Sequence, residues 1–440
     1  MNDFVTVIGG GFAGTEAAKQ LTKRGIKVKL YEMKPKKFSP AHKSENLCEV
    51  VCSNSFKSSL YASASGLLKN EMSLLDSICV KYAKVNAVPA GGALAVDRDG
   101  FSKSVTDDIE GDPLIEVIHE EVTDIPTDGI VIIAAGPLAS EGLSEKIRTL
   151  TGGGLSFFDA AAPIVTAESI DMDNAFTASR YDKGGDDDYI NCPMNKAEYE
   201  EFYNALITAE SVVLHDFEKK NGVYEGCMPI EIMAKRGENT IRFGPMKPVG
   251  LINPKTGHRP WAVLQLRKEN ADGTMYNLVG FQTNLKFPEQ KRVFGLIPAL
   301  KNAEYVRYGV MHRNSFINAP TVLTSSFNMK NNPNIFFAGQ ITGVEGYMES
   351  AASGIIAGIN AARLFKGKNE FVPPADTLLG AFCRYVSDST VKDYQPMGAA
   401  IGLLPPLDTR IRDKRERYGK IADRALDSLK SYIEQQQTEE

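Results

Sequence analysis

The chain opens on an apolar run, Phe4-Val5-Thr6-Val7-Ile8, that breaks into Gly9-Gly10-Gly11-Phe12-Ala13-Gly14. A short apolar run ended by a turn predicts a buried strand. From Phe12 to Arg24 the apolar positions take helical spacing, with Ala13, Ala17, Ala18 and Leu21 on one face, and Gly25 ends the helix. Ile26–Tyr31 alternates as a second strand that stops at Glu32, and Gly129–Pro137 predicts a third that runs into small residues at Gly136. Far downstream, Ile335-Phe336-Phe337 leads into a turn, Ala338–Gly346. A helix follows that carries Ala351, Ala352, Ser353, Gly354, Ala357, Gly358 and Ala361.

Between about Ala167 and Tyr305 the pattern changes. Tyr181–Tyr189 reads as a charged loop and Lys196–Glu210 as an amphipathic helix. Thr240–Phe243, Trp261–Leu266 and Tyr276–Phe281 alternate like antiparallel strands. A polar helix, Asp413–Gln437, comes last. The fold class expected is α/β: a Rossmann-like FAD-binding domain built from both chain ends, 1–166 and 306–440, with a smaller α+β domain inserted at 167–305. A length of 440 residues with 43% hydrophobic content has room for both.

Two glycine turns carry the candidate chemistry. Gly9, Gly11 and Gly14 form a G-x-G-x-x-G fingerprint between a strand and a helix. There glycine permits a sharp turn, brings backbone N–H groups to a pyrophosphate, and lets the helix pack closely on the sheet. Glu32, at the end of the second strand, stands where a ribose hydroxyl is held. The second turn favours FAD over NAD, because a flavin needs another segment to hold its isoalloxazine. Gly339, Gln340 and Gly346 are the candidates, with the following helix's positive end facing flavin oxygens. The cofactor-binding set is thus Gly9, Gly10, Gly11, Phe12, Ala13, Gly14, Glu32, Gly136, Gly339, Gln340 and Gly346.

Charge and cysteine content narrow the setting. Six cysteines are too sparse for a disulfide framework, and no signal peptide or membrane span is read, so a cytoplasmic protein is expected. Five scattered histidines give no metal cluster. A net charge of −5 confines any RNA site to a local patch. Lys34–Lys37 and Arg410–Lys420 are candidates, the second also readable as a solvated face. Cys227, between Gly226 and Met228-Pro229, and Cys52, in Cys52-Ser53-Asn54-Ser55-Phe56, stand out from the others. A Cys48/Cys52 redox pair is a weaker reading, because the spacing is x3. Trp261 reads as core filling or as a stacking surface for a ring, and His312 and Arg313 as cations near the second turn or as ordinary surface residues.

These motifs together resemble the folate- and FAD-dependent tRNA (uracil-5-)-methyltransferase family. The likeness rests on Gly9–Gly14, Cys52–Phe56, Val88–Arg98, Glu225–Glu231, Arg242–Leu251, Tyr308–Asn314, Ala338–Gly354 and Gly402–Pro406, spread over nearly the whole chain. The resemblance implies methylation of uridine C5 in the tRNA T-loop, at position 54. It also implies 5,10-methylenetetrahydrofolate as carbon donor, FAD, and NADH or NADPH as reductant. It makes Cys227 the nucleophile that adds to uracil C6 and Cys52 the proton-handling partner near C5. The same chemistry on ribosomal RNA remains an alternative. So do a related wobble-uridine flavoprotein, which carries a long helical C-terminal domain with no room here, and a non-catalytic FAD-containing RNA chaperone.

Overall fold

The computed structural model describes residues 3–182, 185, 188–212 and 228–438. Strand Phe4–Ile8 (β1), helix Phe12–Thr22 (α1) and strand Lys27–Tyr31 (β2) form one parallel βαβ unit. Val5, Val7 and Ile8 are all buried although they point to both faces of the sheet. A parallel sheet covered on both sides demands this, and it explains the uninterrupted apolar run.

Five parallel strands lie in the order Ile335–Phe337, Val131–Ile133, β1, β2, Ile115–Ile118. The sheet grows outward in both directions from β1. Its switch point therefore falls between β1 and Val131–Ile133, where an open α/β sheet leaves a crevice for a ligand. On one face, α1 lies against the long helix Tyr347–Phe365. A Cβ on Gly354 would come 2.2 Å from the Ala13 carbonyl oxygen, and one on Gly358 would come 2.7 Å from that of Ala17. The small residues of this helix therefore serve backbone-to-backbone packing on α1.

A second sheet is antiparallel, in the order Phe176–Thr177, Tyr189–Met194, Ala262–Lys268, Met275–Leu278, Ile164–Thr166, Tyr305–Arg307. It has its own hydrophobic cluster, with Tyr199, Phe202, Phe281 and Phe294 buried. Its outer strands reach Thr166 and Tyr305, so the sheet extends one strand past each end of 167–305. The expected strand Thr240–Phe243 is instead a short helix. Four residues between Gly237 and Gly244 satisfy either period, and buried Ile241 with the Phe243 N–H to Asn239 O bond closes a helical turn. The segment Tyr181–Tyr189 falls partly outside the described residues.

The two sheets meet through the quoted motifs. Asn54 donates its side-chain amide to Lys268 O at 2.9 Å and accepts from Arg267 Nε at 2.9 Å. Arg98 pairs with Glu269, the Gly91 N–H donates to Asp188, and the Tyr189 hydroxyl donates to Ala90 O. Among the described residues no helix is long and apolar enough to cross a membrane.

Candidate functional site

A cleft of about 1480 Å³ opens past the ends of β1 and Val131–Ile133, larger than the roughly 300–1,000 Å³ of a common small-molecule pocket. Gly9, Gly10, Gly11, Phe12, Ala13, Glu32, Gly136, Gly339, Gln340 and Gly346 line it; Gly14 does not. Gly14 sits behind the wall, where a Cβ would meet Gly9 O at 1.8 Å. Gly9 has φ +106° and lies so close to Ala134 O that a Cβ would come within 2.5 Å. Gly11 differs from both, since a Cβ there would meet nothing within 4 Å.

The start of α1 has the features of an anion site. Its N-cap is Gly11, no side chain caps it, and its first turn holds no acid. The free N–H groups and the positive end of the helix dipole face the cleft. Glu32 fastens the turn from the other side, with Oε2 accepting from Gly10 N–H at 2.9 Å and Oε1 from Lys34 N–H at 3.0 Å. A glycine cradle, an uncapped helix start and an acid at the end of β2 fit the pyrophosphate and ribose of a dinucleotide.

The second turn is built differently. Gly339 has φ +86° and donates its N–H to Ser353 Oγ at 2.7 Å; Gly346 has φ +123°. The helix start behind it does not face the cleft as a bare positive end. Glu349, 1% exposed, folds back under Gly346 and pairs with Lys57 Nζ at 2.7 Å, and it also accepts the Ala399 N–H at 3.1 Å. The dipole is already answered by the protein's own carboxylate.

Cys52 lies in the cleft wall. Its Sγ accepts from the Tyr347 hydroxyl at 3.0 Å, and its N–H donates to the same Tyr347 oxygen at 2.7 Å. Burial, then the nearby Cys52, push the Tyr347 pKa well above its usual value, so this hydroxyl keeps its proton. Arg98 donates to Cys52 O at 2.6 Å and to Val50 O. Burial opposes the Arg98 charge, but Glu269 more than offsets this and raises its pKa. Arg267 donates to Ser53 Oγ at 2.9 Å. Cys48 does not face Cys52; its sulfur lies 3.9 Å from that of buried Cys79.

Cys227 lies outside the described residues, as do the side chains of His312 and Arg313. The chain re-enters the described part at Met228, and Ile230 N–H donates to Gln282 O. Trp261 packs on the second core under the Arg242 guanidinium, 3.8 Å from its ring centroid. Lys34 is no surface cation: 3% exposed, it donates to Ser44 O and Asn46 O and pairs with Glu49 at 3.5 Å. Lys36 and Lys37 pair with Glu120 and Glu121. Among the described residues no group of three or more metal-ligating side chains comes together.

Sequence reasoning missed Tyr347, Arg98, Arg267, Glu269 and Arg307 as a group. Arg98 ended a quoted motif and Tyr347 followed Gly346, but nothing local linked either to Cys52.

Fold and cleft define a Rossmann-type dinucleotide-binding protein with a second, antiparallel domain beside the cofactor site. A family model described as "Glucose inhibited division protein A" matches residues 4–369. A protein of Acetivibrio thermocellus named methylenetetrahydrofolate–tRNA-(uracil-5-)-methyltransferase is 60% identical over 434 residues, covering 98% of this chain and 99% of its own. One of the same name from Lactobacillus gasseri is 57% identical over 432 residues, covering 98% of each. The Aquifex aeolicus GidA structure superimposes with a TM-score of 0.67 at 16% identity, covering 99% of this chain and 76% of that one. The chain belongs to the glucose inhibited division protein A family and, within it, to the methylenetetrahydrofolate–tRNA-(uracil-5-)-methyltransferases.

Proposed function

We propose that the chain methylates C5 of uridine in tRNA, at T-loop position 54, with 5,10-methylenetetrahydrofolate as carbon donor, FAD, and NADH or NADPH as reductant. The observation that carries this is Cys52 set in the wall of a dinucleotide cleft, in a chain 60% identical to a protein named for that reaction. When bound, FAD supplies the redox chemistry that links folate carbon and nicotinamide electrons to the base.

Gly9–Ala13 and the bare start of α1 would hold the pyrophosphate, Glu32 the ribose, and the Gly339–Gly346 turn the isoalloxazine. Cys227 is assigned to add to uracil C6, which makes C5 nucleophilic. Cys52 is assigned to handle the C5 proton. The Tyr347 hydroxyl donating to its sulfur favours the thiolate, the form that accepts a proton. The same reading divides the chain into an FAD-binding part (1–166), an insertion (167–305) and a second FAD-binding part (306–440), and places the protein in the cytoplasm with its RNA.

The test is a tRNA carrying 5-fluorouridine at the target. The wild type should form a denaturation-resistant adduct mapped to Cys227, and Cys227→Ala should form none while keeping FAD. An adduct mapped to Cys52 would reverse the two roles.

A further inference from the structure

Beside the cleft wall, three aromatic rings stack next to a guanidinium. Phe287 starts the helix Phe287–Phe294, and Tyr305 and Tyr308 flank Arg307 at the end of the edge strand Tyr305–Arg307. The Phe287 and Tyr308 ring centroids are 4.7 Å apart with planes at 15°, and those of Tyr305 and Tyr308 are 4.9 Å apart at 8°. Tyr308 is the middle ring. Phe287 is 49% exposed and stacks on no other ring among the described residues, so the ladder is open at its end.

The scaffold behind it is fixed. Gln290 donates to Leu285 O at 2.7 Å and Gly309 O at 2.8 Å, and accepts the Gly309 N–H at 2.8 Å. Gly309 in turn sits so close to Ala161 O that a Cβ would come within 2.8 Å, and Ala161 lines the cleft. The ladder is therefore pinned against the cleft wall.

Arg307, half-buried, makes no hydrogen bond or ion pair among the described residues. It lies within electrostatic reach of Arg98, Tyr347, Cys52 and Glu269; burial, then Arg98, lower its pKa. Glu269 already pairs with Arg98, and Arg267 is held by the neutral Asn54 and Ser53. A half-buried guanidinium among like charges is costly unless an anion arrives with a ligand.

We propose that Phe287 and Arg307 form a subsite beside Cys52 for a planar heteroaromatic ring carried on an anionic chain, the ring stacking on Phe287 and the anion meeting Arg307. This rests on the function proposed above, which brings two molecules of that chemistry: an RNA nucleotide near the target base, and a folate with its pterin and glutamate.

The experiment measures equilibrium binding of a T-arm RNA hairpin and, separately, of tetrahydrofolate to FAD-loaded wild type, Phe287→Ala, Phe287→Trp and Arg307→Gln. Thermal unfolding and FAD content serve as folding controls. Phe287→Ala should weaken one of the two ligands by roughly 5- to 150-fold, the span of a ring stacked on an aromatic side chain, and Phe287→Trp should restore it. Arg307→Gln should weaken the same ligand. If that ligand is RNA, its log K against log salt slope should also shrink by about 0.7, one phosphate contact on a single strand. If it is folate, the salt slope for RNA should stay and a pteroate lacking glutamate should be insensitive to Arg307→Gln. Both affinities within about twofold of wild type in Phe287→Ala, or a loss that Phe287→Trp does not restore, would overturn the subsite. Methyl transfer by the same wild-type preparation reports on the function separately, since its absence sinks that reading whatever binding shows.

Discussion

The two glycine turns at the cleft look alike in the sequence and behave differently in the structure. Behind Gly9–Gly14 the helix start is bare, with no side-chain cap and no acid in its first turn. Behind Gly339–Gly346 the helix start is taken by Glu349, itself paired with Lys57. The first turn is therefore the place for an anion such as a pyrophosphate, and the second presents backbone shape without an open positive end. A third helix start, Leu378–Tyr385, is closed by a carboxylate from elsewhere: Glu71 accepts the N–H groups of Leu378 and Leu379, each at 2.9 Å. Which helix end carries its own acid separates ligand sites from structural joints.

Replacing the packed glycines should have the largest effect. Gly14→Leu and Gly354→Leu each drive a side chain into a backbone carbonyl, at 1.8 Å and 2.2 Å for the Cβ alone. The loss should exceed the ~1–3 kcal/mol of ordinary overpacking and leave little soluble, folded apoprotein in thermal unfolding. Gly11→Leu should do the opposite. Its backbone is extended at φ −81° and its Cβ opens into the cleft. Apoprotein stability should therefore move by less than about 0.5 kcal/mol while the purified protein loses its yellow colour. An apoprotein destabilised as badly as Gly14→Leu would erase the distinction between packed and open glycines.

Glu349→Gln probes the second turn. It removes the charge that answers the helix dipole, but its partner Lys57 is half exposed, so a loss of only about 1–2 kcal/mol in urea unfolding is expected. No loss would mean that Glu349 does not close that helix end. The smallest effect concerns Glu71, whose pKa burial pushes up to about 8 despite the two N–H donors. Between pH 5 and 8 the unfolded chain ionises this group and the folded one keeps it protonated. Stability should therefore fall as pH rises through that window, by up to about 1.4 kcal/mol per pH unit. Glu71→Gln, neutral at every pH, should lose that slope in urea midpoints taken at both ends.

The first turn was legible in the sequence because its chemistry is local. A strand, three glycines, a helix and an acid follow within thirty-two residues, and each is required by backbone geometry. The closure of the second turn was not, because Glu349 depends on Lys57, nearly three hundred residues away. The same holds for Cys52, whose partner Tyr347 is set by tertiary packing alone. Lys34 misled in the other direction: its neighbours suggest a basic patch, and only the fold shows the Ser44 and Asn46 carbonyls that swallow its ammonium group. Thr240–Phe243 was misread because four residues carry too little periodicity to tell a strand from a helical turn.

The central claim is that a thiol in a dinucleotide cleft serves transfer of folate carbon to uridine. The most direct measurement incubates FAD-loaded protein with unmodified tRNA, NADPH and 5,10-methylenetetrahydrofolate labelled at the methylene carbon. A parallel reaction carries S-adenosylmethionine labelled at its methyl. The account predicts label on C5 of the T-loop uridine from the folate alone, and none from either donor in Cys227→Ala or Cys52→Ala. Label arriving from S-adenosylmethionine, or full transfer from folate in Cys52→Ala, would contradict it.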